Sequence, residues 1–182
     1  MKFQPTNLEG IYVIEPQIYK DNRGYFLETY REMYLKEIGI NIRFVQDNFS
    51  VSKKGTVRGL HYQIGEAAQY KLVMVCSGEI LDVVVDLRRK SDTFGKHTSI
   101  HLSDQNHKMV LIPTGFAHGF SVLSDRASVY YKCSNYYNPN LEKGLQWNDP
   151  DLNIDWKVTE AVVSEKDRTQ PILSELTVDE LF

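Results

Sequence analysis

The sequence predicts an all-β fold, a sandwich or barrel of short strands, on three observations. Runs of strand length, rich in Val, Ile and aromatic residues, recur at short intervals through the middle of the chain. Gly, Pro, Asn and Asp stand between them. Only one stretch carries apolar residues at helical spacing, and no internal repeat or low-complexity block breaks the pattern. Folding the strands into two layers, or closing them, also removes exposed sheet edges.

In chain order, Ile11–Ile14 is a short apolar run, followed by a turn at Lys20-Asp21-Asn22-Arg23-Gly24 and a second run, Tyr25–Leu27. Met33, Tyr34, Leu35 and Ile38 predict a short helix over Arg31–Ile38 that ends at Gly39. Phe44–Val51 reads as a strand, Lys53-Lys54-Gly55 as a turn and Val57–Gln63 as the next strand. Lys71–Cys76 and Ile80–Leu87, joined by Ser77-Gly78, read as a hairpin. Further strands fall at His97–Leu102, Lys108–Ile112, Gly119–Leu123 and Ala127–Tyr136. The last quarter is mixed: Trp147–Asp151 is a turn, and Val178–Phe182 reads as a frayed tail.

A chain of 182 residues fits one domain, 1–182. The hydrophobic share of 42% and charged share of 25% are those of a globular protein with a buried core. A net charge of −3 argues against a broad nucleic-acid or membrane surface, yet it leaves room for a local basic pocket. Met1–Pro5 lacks the basic segment and apolar run of a signal peptide. No apolar stretch approaches the roughly 18 residues of a membrane span. Cys76 and Cys133 lie in strand-like segments and read as buried thiols in a reducing cytosol.

Four stretches carry groups suited to chemistry. In Arg58-Gly59-Leu60-His61-Tyr62-Gln63, strand alternation puts His61 and Gln63 on one face and Arg58, Leu60 and Tyr62 on the other. A twist or bulge at Gly59 would change that. A lone histidine in a strand is more often structural than catalytic, so His61 needs partners. The second stretch, Pro113-Thr114-Gly115-Phe116-Ala117-His118, resembles the latter half of the cupin signature. The first half of that signature brings a H-x-H pair, where this chain has His61 and Gln63. With Glu79, the two remaining histidines make only three ligands, so metal binding is disfavoured.

The third stretch, Tyr130–Tyr137, alternates so that Tyr131 and Cys133 share one face and Tyr130 and Lys132 the other. Only one of the adjacent tyrosines can enter a central cavity, and the pattern does not choose between them. The fourth, Ser164-Glu165-Lys166-Asp167, has the composition of a solvated turn.

Taken together, these stretches resemble the dTDP-4-dehydrorhamnose 3,5-epimerase family from about Ile11 to Pro171. Matching pieces include Asp21-Asn22-Arg23-Gly24, Val45-Gln46-Asp47-Asn48, Arg58–Gln63, Lys71-Leu72-Val73 and Gly78–Val83. Ser91–Gly95, Gly115–Phe120, Trp147–Pro150 and Ser164–Asp167 follow in order. The resemblance implies a cupin-like jelly roll, a double-sheet β-roll with a few short peripheral helices. It implies a cytoplasmic homodimer that needs no cofactor and takes a dTDP-sugar, without nucleic-acid or membrane partners. Its product would enter dTDP-L-rhamnose and cell-surface polysaccharide synthesis.

By the same resemblance His61 is the general base, Asp167 polarises it, Tyr131 is the acid on the opposite ring face and Lys71 lies near the C4 carbonyl. Arg58, Asp82 and His118 would sit in or beside the pocket. Arg23, Glu28, Gln46, Asp47, Asn48, Glu142 and Lys166 would contact the nucleotide diphosphate or its wall, and Phe26 would stack on thymine. The chain departs from the family at Tyr70, where a small residue is common, at His97 in place of a Trp, and at Lys157 in place of a Pro. Tyr70, next to Lys71, is expected to alter the pocket mouth. Other readings are an epimerase of one centre only, a metal-dependent cupin enzyme, and a non-catalytic sugar-nucleotide binder.

Overall fold

The computed structural model describes residues 1–182. The chain begins with β1 (Lys2–Pro5) and β2 (Tyr12–Glu15), then β3 (Ile18–Asp21) and β4 (Gly24–Leu27), which form a two-stranded hairpin. The helix α1 (Glu32–Glu37) precedes β5 (Gln46–Lys53), β6 (Thr56–Gln63), β7 (Lys71–Ser77) and β8 (Glu79–Asp86). After them come β9 (His97–Ser103), β10 (Met109–Ile112), β11 (Phe116–Val122) and β12 (Arg126–Cys133). Short elements β13 (Glu142–Gly144), β14 (Val162–Val163) and α2 (Glu165–Arg168) close the chain with two 3₁₀ turns.

Two large sheets result. One runs β1-β2-β10-β7-β12-β5 and is antiparallel throughout; the other runs β13-β6-β11-β8-β9, with β14 parallel to β6. This is the double-sheet roll that the family resemblance implies. Between the sheets Val73, Val75, Ile80, Val84, Phe120, Val122 and Val129 pack into one core. Each fully buried side chain of this kind is worth roughly 1.5–3 kcal/mol.

Several strands are covered on both faces, which explains their continuous apolar runs. In β8, Ile80 and Val84 face the other sheet, whereas Leu81, Val83 and Val85 meet Leu145, Leu152 and Trp156 of the C-terminal segment. In β7, Leu72 turns outward onto Leu35 of α1 and Met109. Val178–Phe182 is not frayed. Phe182 exchanges backbone hydrogen bonds with Leu87 and Arg89 and lies against the Tyr62 ring.

The expected hairpin of Lys71–Cys76 with Ile80–Leu87 does not form, because β7 and β8 belong to different sheets. Ser77-Gly78 carries the chain from one layer to the other. Gly78 has φ +82° and passes so close to Arg126 that a Cβ would stand 2.2 Å from its carbonyl oxygen. Cys76, expected to be buried, is exposed at the end of β7; Cys133 is buried.

The pairing of β6 with β11 is irregular where it matters. Phe120 opposes Arg58 and His118 opposes His61, so three steps along β6 match two along β11. The surplus residue is a β-bulge at Gly59-Leu60, and it reverses the alternation between Arg58 and His61. Gly59 has φ +118°, and a Cβ there would meet Gly119 Cα at 2.7 Å and the His118 carbonyl oxygen at 2.8 Å. Gly59→Ala is therefore expected to destabilise the fold by about 1–3 kcal/mol through overpacking. Denaturant unfolding measures this, and an unchanged midpoint would contradict the close approach.

Candidate active site

The apolar core fills one part of the space between the sheets, and polar side chains line the rest. A cavity of about 500 Å³ is bordered by Arg58, His61, Lys71, His118, Tyr131, Lys166 and Asp167. A smaller lobe of about 240 Å³ shares His61, Lys71 and Tyr131 with it and extends to Gln46, Asn48, Gln63 and Glu142. The bulge in β6 is what brings Arg58 and His61 to the same cavity. On β12, Tyr131 packs toward the inner core while Lys132 turns outward to Asp47 and Tyr130. The choice between the adjacent tyrosines is thus settled for Tyr131.

His61 Nε2–H donates to Asp167 Oδ1 at 2.6 Å across 106 residues of sequence. Asp167 Oδ2 accepts the Gly59 N–H at 3.3 Å, and the Asp167 N–H donates to Ser164 Oγ at 3.1 Å. Ser164 caps the single turn of α2 and so aims Asp167 inward, where it is buried. Ser164–Asp167 is therefore more than a solvated turn. Burial works against the Asp167 charge, but the His61 bond and charge, Gly59 and Ser164 hold its pKa below the ordinary value. The bond leaves His61 Nδ1 as the nitrogen able to take a proton.

Lys71 on β7 and Tyr131 on β12 belong to the opposite sheet from His61. Lys71 Nζ donates to the His61 carbonyl oxygen at 3.4 Å. Burial pushes its pKa below the ordinary 10.5, against the pull of Cys133, Asp82 and Glu142. Burial also raises the Tyr131 pKa above 10.0, helped by Cys133 and Glu142 and opposed by Arg58. Tyr131 is therefore a phenol at neutral pH. Arg58 Nε donates to Ser52 Oγ at 2.9 Å, which leaves its terminal nitrogens free.

His118 stands beside His61 across β11 and β6, and its Nε2–H donates to buried Asp82 Oδ2 at 2.8 Å. Each imidazole thus has its own carboxylate. Glu79, the third candidate metal ligand, pairs with His101 instead. No three His, Cys, Asp or Glu side chains come together as a metal would need. Glu142 accepts from the Tyr137 hydroxyl at 2.7 Å and from Lys166, so it links the walls of the two lobes. Burial opposes the Glu142 charge, yet Lys166, Tyr137 and His61 hold its pKa below the ordinary value.

Some expected wall residues lie elsewhere. Asp47 alternates to the outer face between Gln46 and Asn48 and pairs with Lys132 at 2.8 Å, so it does not line the cavity. Arg23 is paired with Asp21 at the exposed tip of the β3–β4 hairpin. Phe26 and Glu28 border a separate cavity of about 410 Å³ with Tyr19 and Arg31. Tyr70 does not touch the pocket mouth; it packs on the outer cluster around Leu35, and its N–H donates to Ser134 Oγ. His97 starts the edge strand β9, and Lys157 pairs with Asp155. Ser50, Gln63 and Tyr137 line the lobes without having been singled out as binding residues. Alternation from His61 already marked Gln63 for that face, while Tyr137 lies past the end of β12, where no strand period reaches.

Comparison with known proteins agrees with this geometry. A family model described as dTDP-4-dehydrorhamnose 3,5-epimerase matches residues 5–175. A dTDP-4-dehydrorhamnose 3,5-epimerase of Methanothermobacter thermautotrophicus is 50% identical over 177 residues, 96% of this chain and 95% of the relative. A dTDP-4-dehydrorhamnose 3-epimerase of Streptomyces niveus is 37% identical over 176 residues, 96% of this chain and 85% of the relative. The crystal structure of a dTDP-6-deoxy-D-glucose-3,5-epimerase from Legionella pneumophila, in complex with dTDP-4-keto-L-rhamnose, superposes with a TM-score of 0.95 at 44% identity. It covers 99% of this chain and 96% of that one. Sharing both the double-sheet roll and nearly full-length sequence with these proteins, the chain belongs to the dTDP-4-dehydrorhamnose 3,5-epimerase family.

Proposed function

We propose that this protein inverts C3 and C5 of dTDP-4-dehydro-6-deoxy-D-glucose through an enolate. The observation that carries the reading is a carboxylate-backed histidine on one sheet facing a protonated tyrosine and a lysine on the other, within one cavity. A C–H beside a ketone is a weak acid, so its removal needs a placed base and a stabilised oxyanion. His61 Nδ1 takes the proton, and the C–H electron pair moves into the C4 carbonyl to leave an enolate. Asp167 stabilises the imidazolium that forms. The Lys71 ammonium bears on the enolate oxygen; such fixed donors are commonly worth about 3 kcal/mol. Tyr131 then delivers its proton to the other face of the same carbon, the carbonyl re-forms, and solvent returns a proton to the phenolate and takes one from the His61 imidazolium.

Arg58 and Lys166 supply cations for the diphosphate, with Gln46, Asn48 and Glu142 along the second lobe. Arg23, Phe26 and Glu28 lie outside this cavity in their own chain, on or next to a hairpin whose Tyr19, Tyr25 and Phe26 are exposed. We assign them to the cavity of a second copy, in a homodimer. Two free cysteines fit the reducing cytoplasm, where the product would feed dTDP-L-rhamnose and surface polysaccharide synthesis.

In deuterium oxide, turnover should place deuterium at both C3 and C5, as read by proton NMR. Uptake at one centre only would make this a single-centre epimerase like the Streptomyces niveus relative. His61→Ala is expected to abolish exchange at both centres. Asp167→Asn should slow turnover roughly 100-fold. Tyr131→Phe should still exchange with retention while inversion is lost; inversion that survives would remove Tyr131 from the role of acid.

Lys71 acts only while protonated, so its contribution is present below its lowered pKa and is lost as pH rises through it. The alkaline limb of kcat/KM should lie below 10.5 and vanish in Lys71→Arg, because guanidinium does not titrate there. A limb that persists in the variant belongs to another group.

The dimer assignment is tested by mixing inactive His61→Ala chains with inactive Arg23→Ala chains under exchange conditions. Activity should reappear, since one of the two cavities in a mixed dimer would hold both residues. Without recovery, Arg23 serves its own chain or none.

A further inference from the structure

Gln63 lies two residues beyond His61 on the cavity face of β6 and is only 5% exposed. Its Oε1 accepts the Asn138 N–H at 3.0 Å, which fixes the oxygen end of the carboxamide. The other end, Nε2, is enclosed and has no acceptor in the protein. A buried amide donor left bare is uncommon, because desolvating it is not offset by any bond. Yet the side chain borders the smaller lobe beside His61, Lys71, Tyr131 and Glu142.

We propose that Gln63 is a specificity-determining residue of the sugar site, with Nε2–H donating to a hydroxyl or keto oxygen on the ring. The inference rests on the epimerase reading and adds to it the residue that anchors the hexose. Two residues of strand span about 7 Å. A donor that far from the base faces the far side of a sugar ring whose near carbon is being deprotonated. The diphosphate is better matched by Arg58 and Lys166 in the larger lobe, since phosphate oxygens favour charged donors.

The carboxamide cannot simply rotate to another partner. Asn138 follows Tyr137, whose N–H donates to Gln46 Oε1 at 2.9 Å and whose hydroxyl donates to Glu142 at 2.7 Å. That segment therefore holds the Gln63 oxygen and, through it, the plane of the carboxamide. The competing partner is a water, for which a void of about 10 Å³ lies behind Gln63, also bordered by Gln69, Lys71 and His118.

Gln63→Glu separates the cases, because it keeps an oxygen for the Asn138 N–H and puts an acceptor where the donor was. With dTDP-4-dehydro-6-deoxy-glucose, KM at neutral pH is expected to rise about 10- to 100-fold. Affinity for dTDP alone, by calorimetry, should stay at the wild-type value, and the melting temperature, lowered at neutral pH by the buried charge, should recover as the carboxyl protonates. Lowering the pH protonates the introduced carboxyl, restores a donor and should recover part of the KM. Gln63→Met should show the same rise in KM with a lower melting temperature, because Asn138 N–H is left bare.

An unchanged KM in Gln63→Glu would overturn the proposal and give Nε2 to a water. A parallel loss of dTDP affinity would overturn it too, by moving the contact to the nucleotide. Wild-type protein without proton exchange would instead refute the epimerase reading, which the same assay shows separately.

Discussion

Arg58 and His61 are three residues apart, and in an unbroken strand they would face opposite sides of the sheet. The surplus residue that β6 carries against β11 turns both into the cavity, and everything in the site is set relative to that bulge. It requires two backbones to approach at Gly59 and Gly119, where neither strand has space for a Cβ. The same displaced stretch offers the Gly59 N–H to Asp167 Oδ2, so the irregularity that aims His61 also helps hold the carboxylate behind it. Geometry and electrostatics of the His61–Asp167 pair share one cause.

Buried carboxylates then hold the surrounding chain to that frame. Asp86 accepts from Arg88, Ser91 and Thr93 and closes the loop after β8. Asp149 accepts the Leu173 N–H at 2.6 Å and the Asp151 N–H, which folds the C-terminal segment against the outer face of β8 and β11. That segment carries Asp167 to His61. An unpaired buried charge would destabilise the fold strongly, so each carboxylate specifies the position of its donors. Asp82 is the least satisfied: one oxygen bonds His118 and the other has no partner.

Much of this was legible in the sequence wherever a strand kept its period. Alternation alone assigned Tyr131 and Cys133 to one face, and the fold needed only to say which face was inward. The same rule, applied from Gln46 to Asn48, puts Asp47 on the other face, whereas the family resemblance puts all three on the wall. The Ser77-Gly78 link looked like a hairpin because a turn residue between two apolar runs has the same composition whether the chain returns or crosses to another layer. Cys76 is exposed at the end of such a run, and an apolar run does not reveal which end leaves the core. Asp167 lies 106 residues from His61, and no local pattern joins them. A bulge is equally silent: Gly59 permits it, but only pairing with β11 creates it.

The two carbons that the proposed reaction inverts flank the same carbonyl, and this explains how one small set of groups can serve both. An oxyanion formed from either side develops on the same C4 oxygen, so Lys71 need not move. The proposed base and acid, His61 and Tyr131, stand on opposite sheets, and neither wall can follow the sugar, because β6 is pinned by Asp167 and β12 is paired on both edges. It must then be the ring that presents first one carbon and then the other to His61. Whether both are presented depends on what holds the ring, not on the chemistry of base or acid. A relative of one-centre activity at 37% identity is consistent with that division. If Gln63 holds the ring as proposed, a neutral donor of this kind, rather than the His61–Asp167 pair, sets which carbons are presented.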